Sequence, residues 1–491
     1  MVTPTGIPQG SRLSPILFLL FASELLEVIK GPSTSGFGFV DDTNVITHSE
    51  STKTNCEAIE RCHEACIDWA RRHGAAFAPD KYHLIHFTRR RNADLTATPQ
   101  IIGMTREPET TLRVLGVWVD NKLKWGPHIR KVEEKGLTQL KAMQRISAST
   151  WGATFRKSRL LYTAIIRPTL TYGCRIWGAG ENGKPLAAKH IKRLEGVQNK
   201  CLRVITGGYK RTPVRLLERE ADIPPIAEYI KTTALAQAYK ASQQPVTNMT
   251  KQTTYQLRRD VKPRRGRPPK FQPSPQTRLT VKAKQIVGKI GNEARMKHQE
   301  KLKKFEDQQR QGQWLQKEPP KLPKLTAKNL LRQWQNMEWE TRWNKHKERI
   351  PTGQRSIPPA YRTPWREKVP KMHTSLSKAE STVATLLRTR VIGLNDFLYT
   401  AKVPGVNSPA CPCGWQRQTP EHIITACLLH VAGRNRMWLQ ANTDCYNDLL
   451  QDGTRLALVT RWFIKRRILQ QFSVAADMAE RQDSQEEGPE L

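Results

Sequence analysis

The stretch Gly36-Phe37-Gly38-Phe39-Val40-Asp41-Asp42-Thr43-Asn44-Val45-Ile46 constrains this chain more than any other. Two short runs rich in β-forming residues flank a pair of adjacent aspartates, which predicts a tight hairpin carrying two carboxylates at its tip. Neighbouring like charges repel, and a core does not accept them unpaired. The pair therefore marks either an ordinary polar turn, where Asp is common, or a site for a divalent metal. The residues on either side decide between the two.

Upstream, Gly6-Ile7-Pro8-Gln9-Gly10-Ser11 reads as a specialised loop, and Leu13-Ser14-Pro15 as a helix start, with Ser14 capping and Pro15 in the first turn. Residues 16–29 are apolar nearly all round, which predicts a buried helix stopped by Gly31 and Pro32. Downstream, a helix is predicted from about Ser51 to His73, with Ala58, Ile59, Cys62, Cys66 and Trp69 at its apolar or small positions and Gly74 ending it. Tyr82-His83-Leu84-Ile85-His86-Phe87 reads as a strand.

Loop, buried helix, acidic hairpin, amphipathic helix and strand, in that order, resemble a reverse transcriptase, specifically the polymerase of non-long-terminal-repeat (LINE-type) retrotransposons. Gly6-Ile7-Pro8-Gln9-Gly10-Ser11, continued by Leu13-Ser14-Pro15, matches that family's motif B. Phe39-Val40-Asp41-Asp42 matches its catalytic box, with Val where Ala is commoner. Ala78-Pro79-Asp80-Lys81 falls where the family has Asn-x-x-Lys, departing at Ala78 and keeping the lysine. The stretch from Leu112 to Trp125, with Leu115-Gly116-Val117, is similar to the hairpin that grips the primer end.

The resemblance implies an α+β fold. A partial reverse-transcriptase palm, the acidic β-hairpin packed with helices, spans residues 1–125, and mostly helical thumb and connection segments span 126–225. It implies that Asp41 and Asp42 hold Mg²⁺, that Gln9, Gly10 and Phe39 contact nucleotide or template, and that Leu115 and Gly116 hold the primer. Lys81 would help the departing pyrophosphate, although a solvated lysine after a turn fits the same residues. Two-metal nucleotidyl transfer needs carboxylates holding two Mg²⁺ about 4 Å apart. A hairpin tip aims two of them outward with little freedom, and a Gly-rich loop lets backbone approach a nucleotide. The family completes the metal site with another Asp on a strand well upstream of motif B. Only five residues precede Gly6, so this chain is expected to lack that Asp and the fingers, and to be inactive as a polymerase by itself.

Charge points to the same partners. Lysine and arginine number 81 against 44 acids, a formal +37 that calls for a polyanion. Nucleic acid leads and a membrane surface is second; the resemblance narrows this to an RNA template with a DNA primer or duplex. The longest uncharged apolar run, 16–22, is too short to span a bilayer. No secretion signal is evident, so a nuclear or cytoplasmic location is expected. Nine cysteines, an odd number with no small disulfide framework, suit reduced thiols.

Helices are predicted over about 129–149, 158–170 and 188–206, where Lys192, Arg193, Lys200 and Arg203 would track a duplex backbone or simply form a solvated face. Residues 226–380 form a basic linker region with helices, one of them highly charged over 280–311. Neither a Thr-Asp-Gly-Ser opening nor an ordered acidic set marks a ribonuclease H domain there. Lys262-Pro263-Arg264-Arg265-Gly266-Arg267-Pro268-Pro269-Lys270 resembles an AT-hook, whose Arg265-Gly266-Arg267-Pro268 core would lie in a narrow minor groove. A basic linker or localisation patch reads equally from it.

Residues 381–475 make a C-terminal module in which Cys411, Cys413, His422 and Cys427 suit tetrahedral Zn²⁺. Gly414 permits the tight turn, and a helix from Pro420 presents His422 and Cys427. His430 or Cys445 would serve as substitutes, and buried free thiols are the alternative. The cluster resembles the terminal Cys-Cys-His-Cys element of LINE-type polymerases. A final amphipathic helix over 456–472 precedes an acidic, disordered tail at 476–491. A non-catalytic nucleic-acid-binding protein, working through basic surface, hook and knuckle, is the rival to a polymerase fragment.

Overall fold

A computed structural model describes residues 10–88, 90, 92–178, 186–244, 257–259, 271–273, 275–310, 319–321, 325–350 and 357–478. Two units result, Met1–His128 and Ile129–Leu491.

In the first unit, helix α1 (Ser14–Ile29) takes Pro15 into its first turn, where a missing N–H costs nothing. Ser14 is its first residue instead of its cap. The expected all-round burial is not found. Leu25 and Ile29 are buried, whereas Ile16, Leu17, Leu19 and Leu20 are each at least 44% exposed. A helix is covered only as far as neighbours exist, and here one face meets Cys62, Cys66, Trp69 and Ala70. Those residues lie on α2 (Thr52–His73), which Ser51 caps by accepting the Thr54 N–H and which Gly74 closes at φ +64.

Strands β1 (Thr34–Phe39) and β2 (Asp42–Thr47) pair antiparallel with Phe39 opposite Asp42. A Cβ on Gly36 would stand 2.7 Å from the Ile29 side chain, so glycine is what lets the hairpin lie on α1. The segment from Tyr82 to Phe87 is not a strand. Its backbone link across the chain is Glu109 N–H to Leu84 C=O, and among the described residues no ladder forms along it. The later hairpin is present as β3 (Thr111–Val114) and β4 (Val117–Asp120). Its two-residue loop, Leu115 at φ +46 and Gly116 at φ +84, has the type I′ pattern.

Helix α3 (Gly126–Ile146) leads into the second unit. A continuous run follows: Phe155–Leu161, a π-turn at Tyr162–Ile166, and Arg167–Leu170. Pro168 has no N–H to donate to the preceding turn, which is where the wider turn forms. Next come the helices Ala188–Thr206, Val214–Ala221 and Ile226–Ser242. Tyr162, wholly buried, donates to Gln198 Oε1 at 2.6 Å. Gly136 on α3 admits Leu170, whose Cδ2 would be 2.5 Å from any Cβ there.

The helix Pro275–Arg310 packs with Ile226–Ser242 and Ala327–Lys347 around Leu235, Ala283 and Leu331. The strand pair Leu257–Arg259 and Phe271–Pro273 is antiparallel. The hook-like residues Arg265, Gly266, Arg267 and Pro268 lie outside the described residues, as do Gln9 and the end of the tail. The largest core gathers the helices Lys378–Thr389, Val431–Ala441 and Gly453–Lys465. The last is shorter than expected. It ends at Lys465 because Arg467 turns at φ +51, and Leu469 and Phe472 then return to the core from outside the helix. Among the described residues no helix is long and apolar enough to cross a membrane.

Buried charge ties this core to the helices before it. Arg388 and Glu220 have fully buried side chains and pair at 3.0 Å. The guanidinium also donates to Thr363 Oγ1 and to the Leu450 carbonyl. Burial alone would raise Glu220; the Arg388 charge and its hydrogen bonds, helped by His373, instead hold it down at about 2. His373 Nε2 stands 3.7 Å from the Glu220 carboxylate, its ring stacks on Phe155, and burial lowers its pKa, which favours the neutral imidazole. Lys378, pushed down to about 8 by burial, donates to the Val204 and Ile205 carbonyls. There it closes the C-terminus of Ala188–Thr206, where a cation is favoured.

Candidate functional site

Asp41 and Asp42 occupy the tip of the first hairpin. Val40 and Asp41 form its loop, with Val40 at φ +55, and Asp42 opens β2. Positive φ at the first loop residue alone is the type II′ pattern, normally given to glycine. A β-branched residue there is strained, which sets the loop apart from an unconstrained polar turn. Both aspartates are exposed, and among the described residues neither carboxylate has an ion-pair or hydrogen-bond partner. Nor does a third Asp, Glu, His or Cys join them in a group able to hold a metal. The donor set for a Mg²⁺ pair is thus incomplete among the described residues.

The other predicted palm residues are placed individually. Gly10, the first described residue, has φ +91 and open space around it. Phe39 ends β1 and is 58% exposed. Lys81 closes the 3₁₀ turn Pro79–Lys81 and is exposed. Leu115 and Gly116 form the second hairpin's loop. Sequence reasoning missed Asp120, which is buried and accepts the backbone N–H groups of Lys122, Lys124 and Trp125. The turn that feeds α3 is therefore fixed by one carboxylate.

Four ligand-type side chains converge in the C-terminal core. The chain turns tightly at Cys411-Pro412-Cys413-Gly414, with Gly414 at φ +91. The Gly414 N–H reaches Cys411 C=O, and the Cys411 N–H reaches Trp415 C=O. Thr419 caps the short helix Pro420–Thr425, which carries His422, and Cys427 follows directly after its end. The Cys411 and Cys427 sulfurs are 3.8 Å apart, and Cys413 Sγ is 3.2 Å from His422 Nε2. All four ligand atoms lie within 4.8 Å of one another.

This geometry fits a tetrahedral metal. Zn–S bonds of about 2.3 Å at tetrahedral angles put two sulfurs about 3.8 Å apart, whereas a disulfide needs about 2 Å. Burial pushes the Cys411 thiol up to about 12, a cost that a bound cation reverses by favouring thiolate. Burial, then Arg434 and His430, lower His422, leaving the neutral imidazole that ligates metals. Neither expected substitute is in the group: His430 meets Trp462 edge-on, and Cys445 is exposed.

Comparison with known proteins bears on the first unit and reaches beyond it, since the matches to relatives are longer than its 128 residues. Residues 1–119 match the family described as reverse transcriptase (RNA-dependent DNA polymerase). A probable RNA-directed DNA polymerase from transposon X-element of Drosophila melanogaster is 27% identical over 209 residues, covering 41% of this chain and 22% of the relative. The RNA-directed DNA polymerase from mobile element jockey of the same organism is 26% identical over 237 residues, covering 47% of this chain and 25% of the relative. A retrovirus-related Pol polyprotein from type-1 retrotransposable element R1 of Bradysia coprophila is 23% identical over 172 residues, covering 35% of this chain and 17% of the relative. The match spans a quarter or less of each of these relatives. No solved structure matches.

Proposed function

From the premise that residues 1–119 are a reverse transcriptase segment, in a chain related to the polymerases of non-long-terminal-repeat retrotransposons, we propose that this chain supplies the template–primer-binding part of an RNA-directed DNA polymerase. One observation carries the reading: the unpaired Asp41–Asp42 tip lies within the matched segment, on a strained loop that aims both carboxylates at solvent.

In this reading Asp41 and Asp42 are two of the ligands of a catalytic Mg²⁺ pair, and a further carboxylate comes from outside the described residues. Gln9, Gly10 and Phe39 line the nucleotide and template side, Lys81 faces the leaving pyrophosphate, and Leu115–Gly116 sets the primer end. Residues 1–125 act as palm and 126–225 as thumb. Lys192 and Lys200, exposed at a two-turn spacing on the helix Ala188–Thr206, lie along the duplex backbone. With the donor set incomplete among the described residues, the chain is expected in this reading to hold template and primer without extending them.

The module around Cys411, Cys413, His422 and Cys427 holds Zn²⁺ as a structural ion. When bound, zinc would supply charge and cross-linking, and the four residues supply every ligand it needs.

Binding to an RNA–DNA hybrid tests the proposal. The full chain should bind it with log K falling against log salt at a slope of about −4 or steeper, as several neutralised phosphates require. A slope shallower than about −1 would remove the nucleic-acid reading.

A further inference from the structure

The helix Pro275–Arg310 carries one stripe whose chemistry changes partway along. Leu279, Ala283 and Ile286 recur at helical spacing and pack with Leu235, Leu331 and Trp334, and buried Ile290 continues them. Carried on at the same spacing past Ala294, the centre of the stripe falls on Lys297 and Lys301. Solvated lysines belong on the other faces of such a helix, because this one turns toward its neighbours.

A cavity of about 280 Å³ lies where the change occurs. Ile290, Lys297, His298 and Lys301 line it from this helix, and Gln333 and Met337 line it from the helix Ala327–Lys347. Among the described residues, the Lys297, His298 and Lys301 side chains have neither an ion pair nor a hydrogen bond. Lys297 and Lys301 stand one turn apart and repel each other. A bound anion would relieve that repulsion. With Lys321, three lysines line the cavity against one acid, Glu293.

We propose that this cavity binds a nucleoside phosphate, either a free mononucleotide or the 5′-phosphorylated end of a strand. Lys297 and Lys301 take the phosphate, and His298 adds a donor. Ile290, Met337 and Pro320 seat the base, and Gln333 presents it with an amide that both donates and accepts. Glu293, an acceptor among cations, suits ribose hydroxyls, as acids do in other nucleotide sites. Cavities for larger ligands run from about 300 to 1,000 Å³, so this one takes a single nucleotide. A phosphate by itself would leave the apolar seat empty. The lining lies wholly beyond residues 1–119, so the site stands whether or not the polymerase reading does.

Isothermal titration of the full chain tests it, with no divalent metal added so that Asp41 and Asp42 take no part. The probes are uridine 5′-monophosphate, uridine and inorganic phosphate. Hydrogen bonds to a charged group are worth about tenfold or more each in affinity, so the monophosphate should bind at least about tenfold more tightly than either fragment. K297Q/K301Q should remove that advantage, and M337W should do the same by filling the cavity without changing its charge. K289Q/K303Q takes away two exposed lysines of the same helix that lie outside the cavity. It should leave the affinity within about twofold, since charges that far into solvent are screened. Displacement of the monophosphate by 5′-phosphorylated hexauridylate, and not by the 5′-hydroxyl form, would assign the site to strand ends. Displacement by neither would assign it to the free nucleotide. Displacement by both alike would mark a general cationic surface and overturn the proposal. Uridine or inorganic phosphate binding as tightly as the monophosphate would overturn it too, as would equal losses from the two lysine pairs.

Discussion

Replacing Arg388 by alanine should destabilise the second unit by about 3–5 kcal/mol, the usual consequence of leaving one member of a buried ion pair alone. Both side chains of the Arg388–Glu220 pair are fully buried, so water cannot solvate the orphaned carboxylate. The loss spreads because the guanidinium also holds Thr363 and Leu450. R388K keeps the charge but not the two-pronged contact and should lie between wild type and alanine. Urea unfolding followed by tryptophan fluorescence reads the difference; a shift below about 1 kcal/mol would show the pair to be dispensable.

The same pair predicts an acid limit. Glu220 is held at about 2 in the fold against about 4.3 for an unperturbed glutamate. A depressed carboxylate contributes stability that is fully present above the unfolded value. Between about 4 and 2 the unfolded chain binds the proton more readily, so stability falls with pH and the contribution is gone below about 2. R388A should flatten that dependence.

Zinc removal is the second large effect. Cys411 and Cys427 belong to the same core as Leu387, Ile423 and Phe463, and both are buried. A bound ion stabilises only the folded state, and structural zinc sites commonly contribute on the order of 10 kcal/mol. Purified protein should contain about one zinc per chain. A strong chelator or C427A should release it and lower the melting midpoint of the second unit by more than about 10 °C. Zinc below about half an atom per chain, with the melt indifferent to chelator, would mean a cluster of free thiols.

These effects differ in how far the sequence foretold them. The acidic hairpin and the Cys411–Cys427 cluster are short-range patterns, and each appears where spacing placed it. The helix Thr52–His73 was legible from its cap, its periodicity and Gly74. The exposed face of α1 was not, because apolar residues on all sides state an appetite for neighbours without saying whether they exist. Tyr82 to Phe87 has strand composition but gains no ladder, since pairing depends on a partner that local sequence does not name. Arg388 and Glu220 lie 168 residues apart, and nothing local ties one to the other.

Primer extension measures the central claim most directly. With an RNA template, an annealed DNA primer, all four deoxynucleotides and Mg²⁺, the 491-residue chain should bind the hybrid yet extend it no faster than Asp41→Ala does. Robust extension by the pure chain, abolished by Asp41→Ala, would contradict the account and show that the residues at hand already complete the metal centre.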